Sequence, residues 1–446
     1  MTVAVAVSVL PRRMAGWAAR RSLAPNALTG IGLACSLCAA AWFTAGTRPA
    51  ALGGGLALAA GYLARRIGAQ IVAAREAGGA AWDAAGAAAD DRLMLAAFEG
   101  WLAGLCAAIG ELASYAGLAV GAQASQRPGI WVLATEAAIT LSLSQMVRLC
   151  QPAGPAPGQS PGQSPGQSSG QSPGQPPGTG RPSPWLWANH LLTLPATARV
   201  AVIVLTAPLW GARITFLALV VSGAVGTVWV LARSFWTLSR RALASRGNGE
   251  SGPPGGTRPV LGMIAACRDD GPVARLAGRI VQGQLAPLPP ALAGLAGTVL
   301  LAALGLRNLP GILALAPVAA MLLAAVGASH RHDGPLDWLV PPVLQATQYI
   351  YLAALGFSVG VPGPVTFGLI CLIALRQRDV AGRARLGSWP GQRAGLGWDG
   401  RILVVGLGVL LGVVTFAYLA LAAYLGVLLC RVSLSGWLAT TEGERR

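Results

Sequence analysis

Three carboxylates in the N-terminal part of the sequence are of a residue type that binds divalent cations. Asp83 precedes Asp90 and Asp91 in a polar segment that follows a run of arginines. Carboxylate oxygens are preferred ligands of Mg²⁺ and Mn²⁺, and these cations neutralise the phosphate groups of a reacting substrate. A solvated acidic loop has the same composition. The pattern therefore leaves open both a loose cation site and a solvated loop.

A second group of residues lies at the ends of the first two predicted membrane helices. Pro25 and Asn26 open the first helix, and Gly61, Ala64 and Arg65 lie near the end of the second. These residues resemble the signature of the CDP-alcohol phosphatidyltransferase family, a six-helix membrane fold in which aspartates hold Mg²⁺ or Mn²⁺. The resemblance implies that residues 1–240 form such a domain, with these five residues as a nucleotide-binding vestige.

The aspartates of that family are missing from the matching positions. Ala57 and Ala60 stand where the second helix would carry two of them. One placement of the remaining motif puts Ala103 and Ala107 at the other two positions, and a second placement uses Asp83. A site that loses half of its carboxylates loses the means of holding its cations. The sequence thus predicts a catalytically degenerate protein, a pseudoenzyme to which no catalytic residue, metal or cofactor is assigned.

Three glutamates fall inside predicted membrane helices, where a charge is costly. They are Glu99, Glu111 and Glu136. Glu111 lies in the middle of its apolar run and is expected to face other helices. It either binds a ligand or proton, or it pairs with an arginine or a polar neighbour.

A loop in the C-terminal half contains histidines and aspartates at short spacing. His330, His332, Asp333 and Asp337 form a candidate metal-binding group. Their spacing matches no established site, and Asp333-Gly334-Pro335 is also typical of a turn. Asp337 precedes a predicted span and is equally suited to capping a helix.

The same loop belongs to a set of recurring boxes in the C-terminal half. The other boxes are Arg268-Asp269-Asp270-Gly271-Pro272 and Gly397-Trp398-Asp399-Gly400-Arg401. Together they resemble a membrane domain of unknown function found in high-GC Gram-positive bacteria. The resemblance implies an architecture for this half but no mechanism.

Composition places all of these residues in a membrane protein. Hydrophobic residues make up 54% of the 446-residue chain and charged residues only 11%, whereas a soluble domain carries about 25% charged residues. The net charge of +17 is spread over short loops without an aromatic-rich basic patch. Nucleic acid is therefore excluded as a partner, and membrane lipid is expected instead, with a homodimer left open.

The apolar runs predict an all-α, polytopic transmembrane bundle of about 11 spans, within a range of about 10–12. A membrane domain over residues 1–240, a cytoplasmic connector over 241–285 and a second membrane domain over 286–446 are expected. The final run, over 401–430, fits either one tilted helix or a broken pair. The predicted spans are 27–45, 50–72, 93–121, 129–149, 195–211, 213–236, 287–306, 309–328, 338–359, 363–376 and 401–430.

Arginines alternate between dense and sparse loops along this map. Arg12, Arg65, Arg148 and Arg376 belong to arginine-rich segments, while the intervening loops carry single arginines. The positive-inside rule places the dense segments, the N-terminus and the Pro/Gly/Gln/Ser linker over 151–183 in the cytoplasm. The linker repeats a PGQS unit and has no residues to form a core, which predicts disorder. We therefore expect a multi-pass protein of the cell membrane.

These observations favour a non-catalytic role, as a lipid-binding or scaffolding protein in envelope phospholipid metabolism. An active transferase that releases CMP, with Asp83, Asp90 and Asp91 holding Mg²⁺ or Mn²⁺, is one alternative. A transporter or flippase that uses the intramembrane glutamates is another.

Overall fold

The computed structural model describes an all-helical chain, with no strand among the residues it covers. Those residues are 25–79, 87–124, 129–150, 196–247, 267, 269–280, 288–304, 318–319, 325, 336–385 and 395–443. The linker over 151–183 lies outside them. The helices are α1 Pro25–Phe43, α2 Arg48–Gly79, α3 Ala87–Ala124, α4 Ile130–Cys150, α5 Ala196–Trp210, α6 Ala212–Gly247, α7 Pro272–Ile280, α8 Leu288–Leu304, α9 Val340–Val359, α10 Gly363–Arg385, α11 Gly397–Leu410 and α12 Val414–Gly443.

The first three helices pack closely because small residues line their contacts. α1 packs against both α2 and α3. A Cβ atom added at Gly117 of α3 would overlap the carbonyl oxygen of Ala40, and one at Gly121 would overlap that of Phe43. Close backbone approach at small residues is the usual way in which membrane helices gain packing energy. These glycines therefore set the distance between α1 and α3.

The final apolar run forms two helices. α11 ends at Leu410, and α12 begins at Val414 after a turn in which Gly412 has a φ of +68°. A left-handed φ is accessible to glycine without a steric cost. α12 then packs along α10, with Gly426 next to Leu372. The broken pair is thus the correct interpretation of the predicted 401–430 span.

Many of the arginine-rich segments meet at one end of the bundle. Arg65 lies opposite the first turns of α1, Arg378 of α10 contacts Gln145 of α4, and Arg148 is close to the end of α4. We call the end that holds these three arginines the arginine end. The prediction that this end lies in the cytoplasm stays a prediction.

Apolar helices support a membrane protein, but the predicted number of spans is not confirmed. Within the described residues, five helical segments are long and apolar enough to cross a bilayer. α5 and α8 are apolar but shorter than those five. Most of the predicted span over 309–328 lies outside the described residues. The five segments are Pro25–Phe43, Phe98–Ala124, Ile130–Cys150, Ala212–Thr237 and Val414–Arg431.

Helices from the two halves of the chain share a hydrophobic core. α4 packs against α9 and α10, and α3 also contacts α10. Leu141, Tyr349 and Ile370 belong to the same cluster of buried side chains. The predicted division into two membrane domains stays a prediction. Because the two halves share a core, a single site can contain residues from both.

The close contact between α1 and α3 predicts a stability defect for Gly117→Ala. The added methyl group would overlap the Ala40 carbonyl, and overpacking of this kind costs about 1–3 kcal/mol. We expect a lower thermal unfolding midpoint of the full chain in detergent. Gly30→Ala in α1 is the matched control, since a Cβ atom there meets nothing within 4 Å. Equal midpoints for the two variants would contradict this account of the contact.

Candidate functional site

The five vestige residues lie at the arginine end of α1 and α2. Pro25 is buried in the first turn of α1, and Asn26 is exposed beside it. A Cβ atom added at Gly61 would lie 2.7 Å from the Gly32 carbonyl oxygen, so Gly61 allows the backbones of α1 and α2 to approach. Ala64 is partly buried. Here Gly61 serves helix packing.

Arg65 of α2 forms hydrogen bonds with α1. Its Nη1 donates to the Gly32 carbonyl oxygen at 2.8 Å and to Ser36 Oγ at 2.9 Å. The Ser36 hydroxyl in turn donates to the Gly32 carbonyl oxygen at 2.9 Å. A guanidinium placed among helices needs such acceptors, because an unpaired buried donor is costly. The arginine of the vestige therefore has a structural partner in α1.

Metal-binding side chains are expected to be missing near these residues, and only part of that region is described. Within the described part of the chain, no group of three or more His, Cys, Asp or Glu side chains is positioned to hold a metal ion. Ala57 is partly buried and Ala60 is exposed. Asp83 lies outside the described residues, as do the side chains of Asp90 and Asp91 in the first turn of α3. Catalysis through these three aspartates therefore stays a prediction.

Glu111 forms an ion pair within the bundle. Its two carboxylate oxygens accept from Arg199 Nε at 2.7 Å and from Nη2 at 3.1 Å, and Tyr115 Oη donates at 3.0 Å. Arg65 and Arg378 are also close enough to interact electrostatically with this carboxylate. A bidentate pair of this kind is the strongest form of arginine–carboxylate contact. The structure thus places Glu111 in a structural pair joining α3 and α5.

The other two glutamates have different surroundings. Glu99 is partly buried near the start of the apolar part of α3. Glu136 is exposed on α4. The three glutamates therefore do not form a common site.

A cavity of about 470 Å³ opens between α3, α4 and α10 at the arginine end. This volume lies within the range of small-molecule sites. Among the described residues, no aspartate or glutamate lines the cavity, whereas two arginines do. Its polar lining consists of Ser142, Gln145, Arg148, Gln377 and Arg378, and its larger apolar side chains are Trp101, Leu112, Leu141, Met146, Leu149 and Leu375.

Arg378 spans this cavity from the C-terminal half of the chain. Its Nη1 donates to Gln145 Oε1 of α4. A Cβ atom added at Gly104 of α3 would lie 3.4 Å from Arg378 Nη2. Gly104 thus leaves space for the guanidinium between α3 and α4. The cavity is built by both halves of the chain.

The first and third C-terminal boxes, 268–272 and 397–401, are joined by an ion pair. Arg401 Nη2 forms an ion pair with Asp269 Oδ2, and the arginine side chain is fully buried. Arg401 Nη1 also reaches Gln348 Oε1 of α9 at 3.5 Å. Removing one partner of a buried pair leaves an uncompensated charge. The pair therefore anchors the segment before α7 to the start of α11.

Asp399 adds a second link between these boxes. Its Oδ2 accepts from the backbone N–H groups of Val273 at 2.7 Å and Ala274 at 3.0 Å. The carboxylate thus caps α7 from another helix and satisfies two N–H groups that lack an intrahelical partner. Gly397 has a φ of +65° and contacts the backbone of Gly271 closely. A side chain at position 397 would be strained and would collide with that backbone.

A buried aspartate of α10 connects this region to the cavity. Asp379 accepts from Arg376 Nη1 and from Arg383 Nε, each at 2.7 Å. The Arg383 guanidinium also lies over the Trp101 ring, 4.7 Å from its centroid. Such a cation–π contact favours a fixed orientation of both groups. Trp101 is thus held in the cavity wall by a residue that is itself held by Asp379.

The second box is only partly described. His330, His332 and Asp333 lie outside the described residues, so their metal-binding hypothesis stays a prediction. Asp337 begins a short 3₁₀ turn, Asp337–Leu339, that leads into α9. The N-cap positions of this turn and of α9 are Leu336 and Leu339, so Asp337 does not occupy the N-cap position that the sequence suggested. Trp338 packs instead against the end of α4, in a cluster with Met146 and Cys150.

Comparison with known proteins identifies the C-terminal part. Residues 260–444 match DUF5941, a family of unknown function. The C-terminal part is a DUF5941 domain. No curated protein and no solved structure matches the chain. No CDP-alcohol phosphatidyltransferase match accompanies this domain, so that resemblance stays a prediction for residues 1–240.

The DUF5941 match contains all three boxes and begins inside the predicted connector. It also supplies Gln377 and Arg378 to the cavity. Sequence reasoning missed the cavity because its arginines were assigned to membrane sidedness alone. The available signal was the polar pair Gln145 and Arg148, which lie three residues apart and share one face of a helix.

The Asp269–Arg401 pair predicts strong coupling within the DUF5941 domain. We expect Asp269→Ala to lower the unfolding free energy by about 3–5 kcal/mol, because Arg401 would keep its charge without a partner. The double variant Asp269→Ala with Arg401→Met is expected to recover part of this loss. Thermal unfolding of the full chain in detergent measures both. Arg279→Ala, an exposed arginine of α7, is the control. Strictly additive effects of the two changes would contradict the pairing.

Proposed function

We propose that this protein binds the head group of an anionic phospholipid in the cavity between α3, α4 and α10, and that it does so without catalysis. The observation that carries this proposal is a cavity lined by two arginines and, within the described part of the chain, by no aspartate or glutamate. Guanidinium groups match the geometry and charge of phosphate. An anionic head group would supply the charge that the cavity itself lacks.

The wider charge distribution supports the same ligand. Arg65 and Arg199 lie near the cavity helices, and Glu111 is the acid that these two arginines share. Arg148 of the cavity also lies close enough to Arg199 to be affected by its charge. Positive charges therefore outnumber negative ones around this part of the bundle. A negative ligand relieves the repulsion among neighbouring guanidinium groups.

The lining of the cavity favours a lipid over a soluble anion. Beside its polar residues, the wall includes Leu112, Leu141, Leu149 and Leu375. A head group among the arginines and the first part of an acyl chain against the leucines satisfy both kinds of lining. With the arginine end in the cytoplasm, the site would face the leaflet whose anionic lipids attract basic residues.

The non-catalytic part of the proposal rests on the alanines at positions 57, 60, 103 and 107. The active-transferase alternative needs Asp83, Asp90 and Asp91 to hold Mg²⁺ or Mn²⁺. Purified full-length protein with CDP-diacylglycerol, either cation and a panel of alcohols tests it through CMP release. Release of CMP that Asp83→Ala abolishes would replace the pseudoenzyme proposal. Transport has less support, since Glu111 is held by Arg199 and Tyr115.

The proposal predicts that Arg148→Gln weakens retention of anionic lipid. A charge-assisted hydrogen bond is worth about 1.5–3 kcal/mol, so we expect about tenfold weaker binding or more. Native mass spectrometry of the full chain, exchanged into vesicles of equal phosphatidylglycerol and phosphatidylcholine, measures the retained lipid. Arg233→Gln is the matched control, an exposed arginine of α6 outside the cavity. Equal retention of the two lipids by the unaltered protein would refute anionic-lipid binding.

A further inference from the structure

Three side chains that line the cavity each carry an N–H group with no hydrogen-bond partner among the described residues. The N–H groups are Trp101 Nε1 of α3, Arg148 Nε of α4 and Gln377 Nε2 of α10, and each atom is buried. Buried donors in native proteins nearly always have an acceptor, because an unmade hydrogen bond is costly. Three helices thus each contribute one unmatched donor to the same cavity.

Two side-chain amide oxygens of the cavity lining already accept hydrogen bonds. Tyr349 Oη donates to Gln377 Oε1 at 2.8 Å, which leaves the amide nitrogen of that residue for the cavity. Gln145 Oε1 accepts from Arg378. Ser142 Oγ donates to the carbonyl oxygen of Ala138 at 2.8 Å. The unmatched atoms therefore select for a ligand that is rich in acceptors.

Trp101 is held so that its N–H group stays in the cavity wall. The Arg383 guanidinium covers one face of the ring, and Asp379 fixes that guanidinium. The edge of the ring lies against Gly382 of α10, where a Cβ atom would come 3.3 Å from Nε1. Arg383 is thus a positioning residue for an indole donor.

On the basis of the proposed function, we infer that the head group is a terminal phosphate monoester, as in phosphatidic acid. A monoester presents three terminal oxygens and close to two negative charges near neutral pH. The cavity wall contains three unmatched donors, one of them on Arg148, and two guanidinium groups, Arg148 and Arg378, with no carboxylate among the described lining residues. A phosphodiester head group, such as that of phosphatidylglycerol, has two free oxygens and one negative charge. It would accept fewer charge-assisted hydrogen bonds and neutralise less of the positive charge.

Calorimetric titration of the full chain in detergent with short-chain lipids tests this inference. The probes are dioctanoyl phosphatidic acid, dioctanoyl phosphatidylglycerol, dioctanoyl phosphatidylcholine and glycerol 3-phosphate. We expect phosphatidic acid to bind about tenfold more tightly than phosphatidylglycerol, since one charge-assisted hydrogen bond separates them. Equal affinity for these two lipids would overturn the monoester inference and leave anionic-lipid binding intact.

The remaining probes separate the two proposals. Binding of phosphatidylcholine as tight as that of both anionic lipids would overturn the proposed function itself. Binding of glycerol 3-phosphate as tight as that of phosphatidic acid would support the monoester chemistry and show that the ligand is a soluble phosphate ester. Much weaker binding of glycerol 3-phosphate would support the lipid.

Two variants test the donors directly. Trp101→Phe keeps a ring under Arg383 but removes Nε1, so the preference for phosphatidic acid over phosphatidylglycerol is expected to fall several-fold. Trp210→Phe, an exposed tryptophan of α5, is the matched control. Gln377→Glu replaces a donor by a carboxylate of the same shape and is expected to abolish phosphatidic acid binding. An unchanged lipid preference in both folded cavity variants would overturn the assignment.

Discussion

A guanidinium placed among membrane helices must find acceptors, and this requirement organises much of the structure. Arg65 meets a backbone carbonyl and a serine of α1, Arg199 meets Glu111, and Arg401 meets Asp269. Each contact joins two different elements, so the arginines act as cross-links within the bundle. These three arginines therefore help to hold the bundle together.

The cavity differs from these sites because its polar groups are not matched in the same way. Its polar lining supplies more donors than acceptors, whereas the DUF5941 boxes pair their acids and bases closely. The two regions are linked by Arg383, which contacts both Asp379 and Trp101. A ligand that engages Trp101 would therefore act on a side chain whose support lies in the DUF5941 domain. The shared site gives a physical reason for the two halves to occur in one chain.

Sequence reasoning predicted an all-helical chain with apolar helices, but it did not predict the cavity. The apolar run over 129–149 corresponds to α4 Ile130–Cys150, because length and hydropathy suffice to locate a buried or lipid-facing helix. The expectation that Glu111 faces other helices followed from the cost of a charge in lipid. The identity of its partner Arg199 did not follow, since it depends on how α5 packs. Likewise, Arg148 and Arg378 are brought together only by the packing of α4 against α10.

The hairpin of α11 and α12 has a consequence for the path of the whole chain. α1 begins at the arginine end, and α12 runs parallel to α10 back towards that same end. The turn at Gly412 therefore returns the last described helix to the end of the bundle at which the first described helix begins.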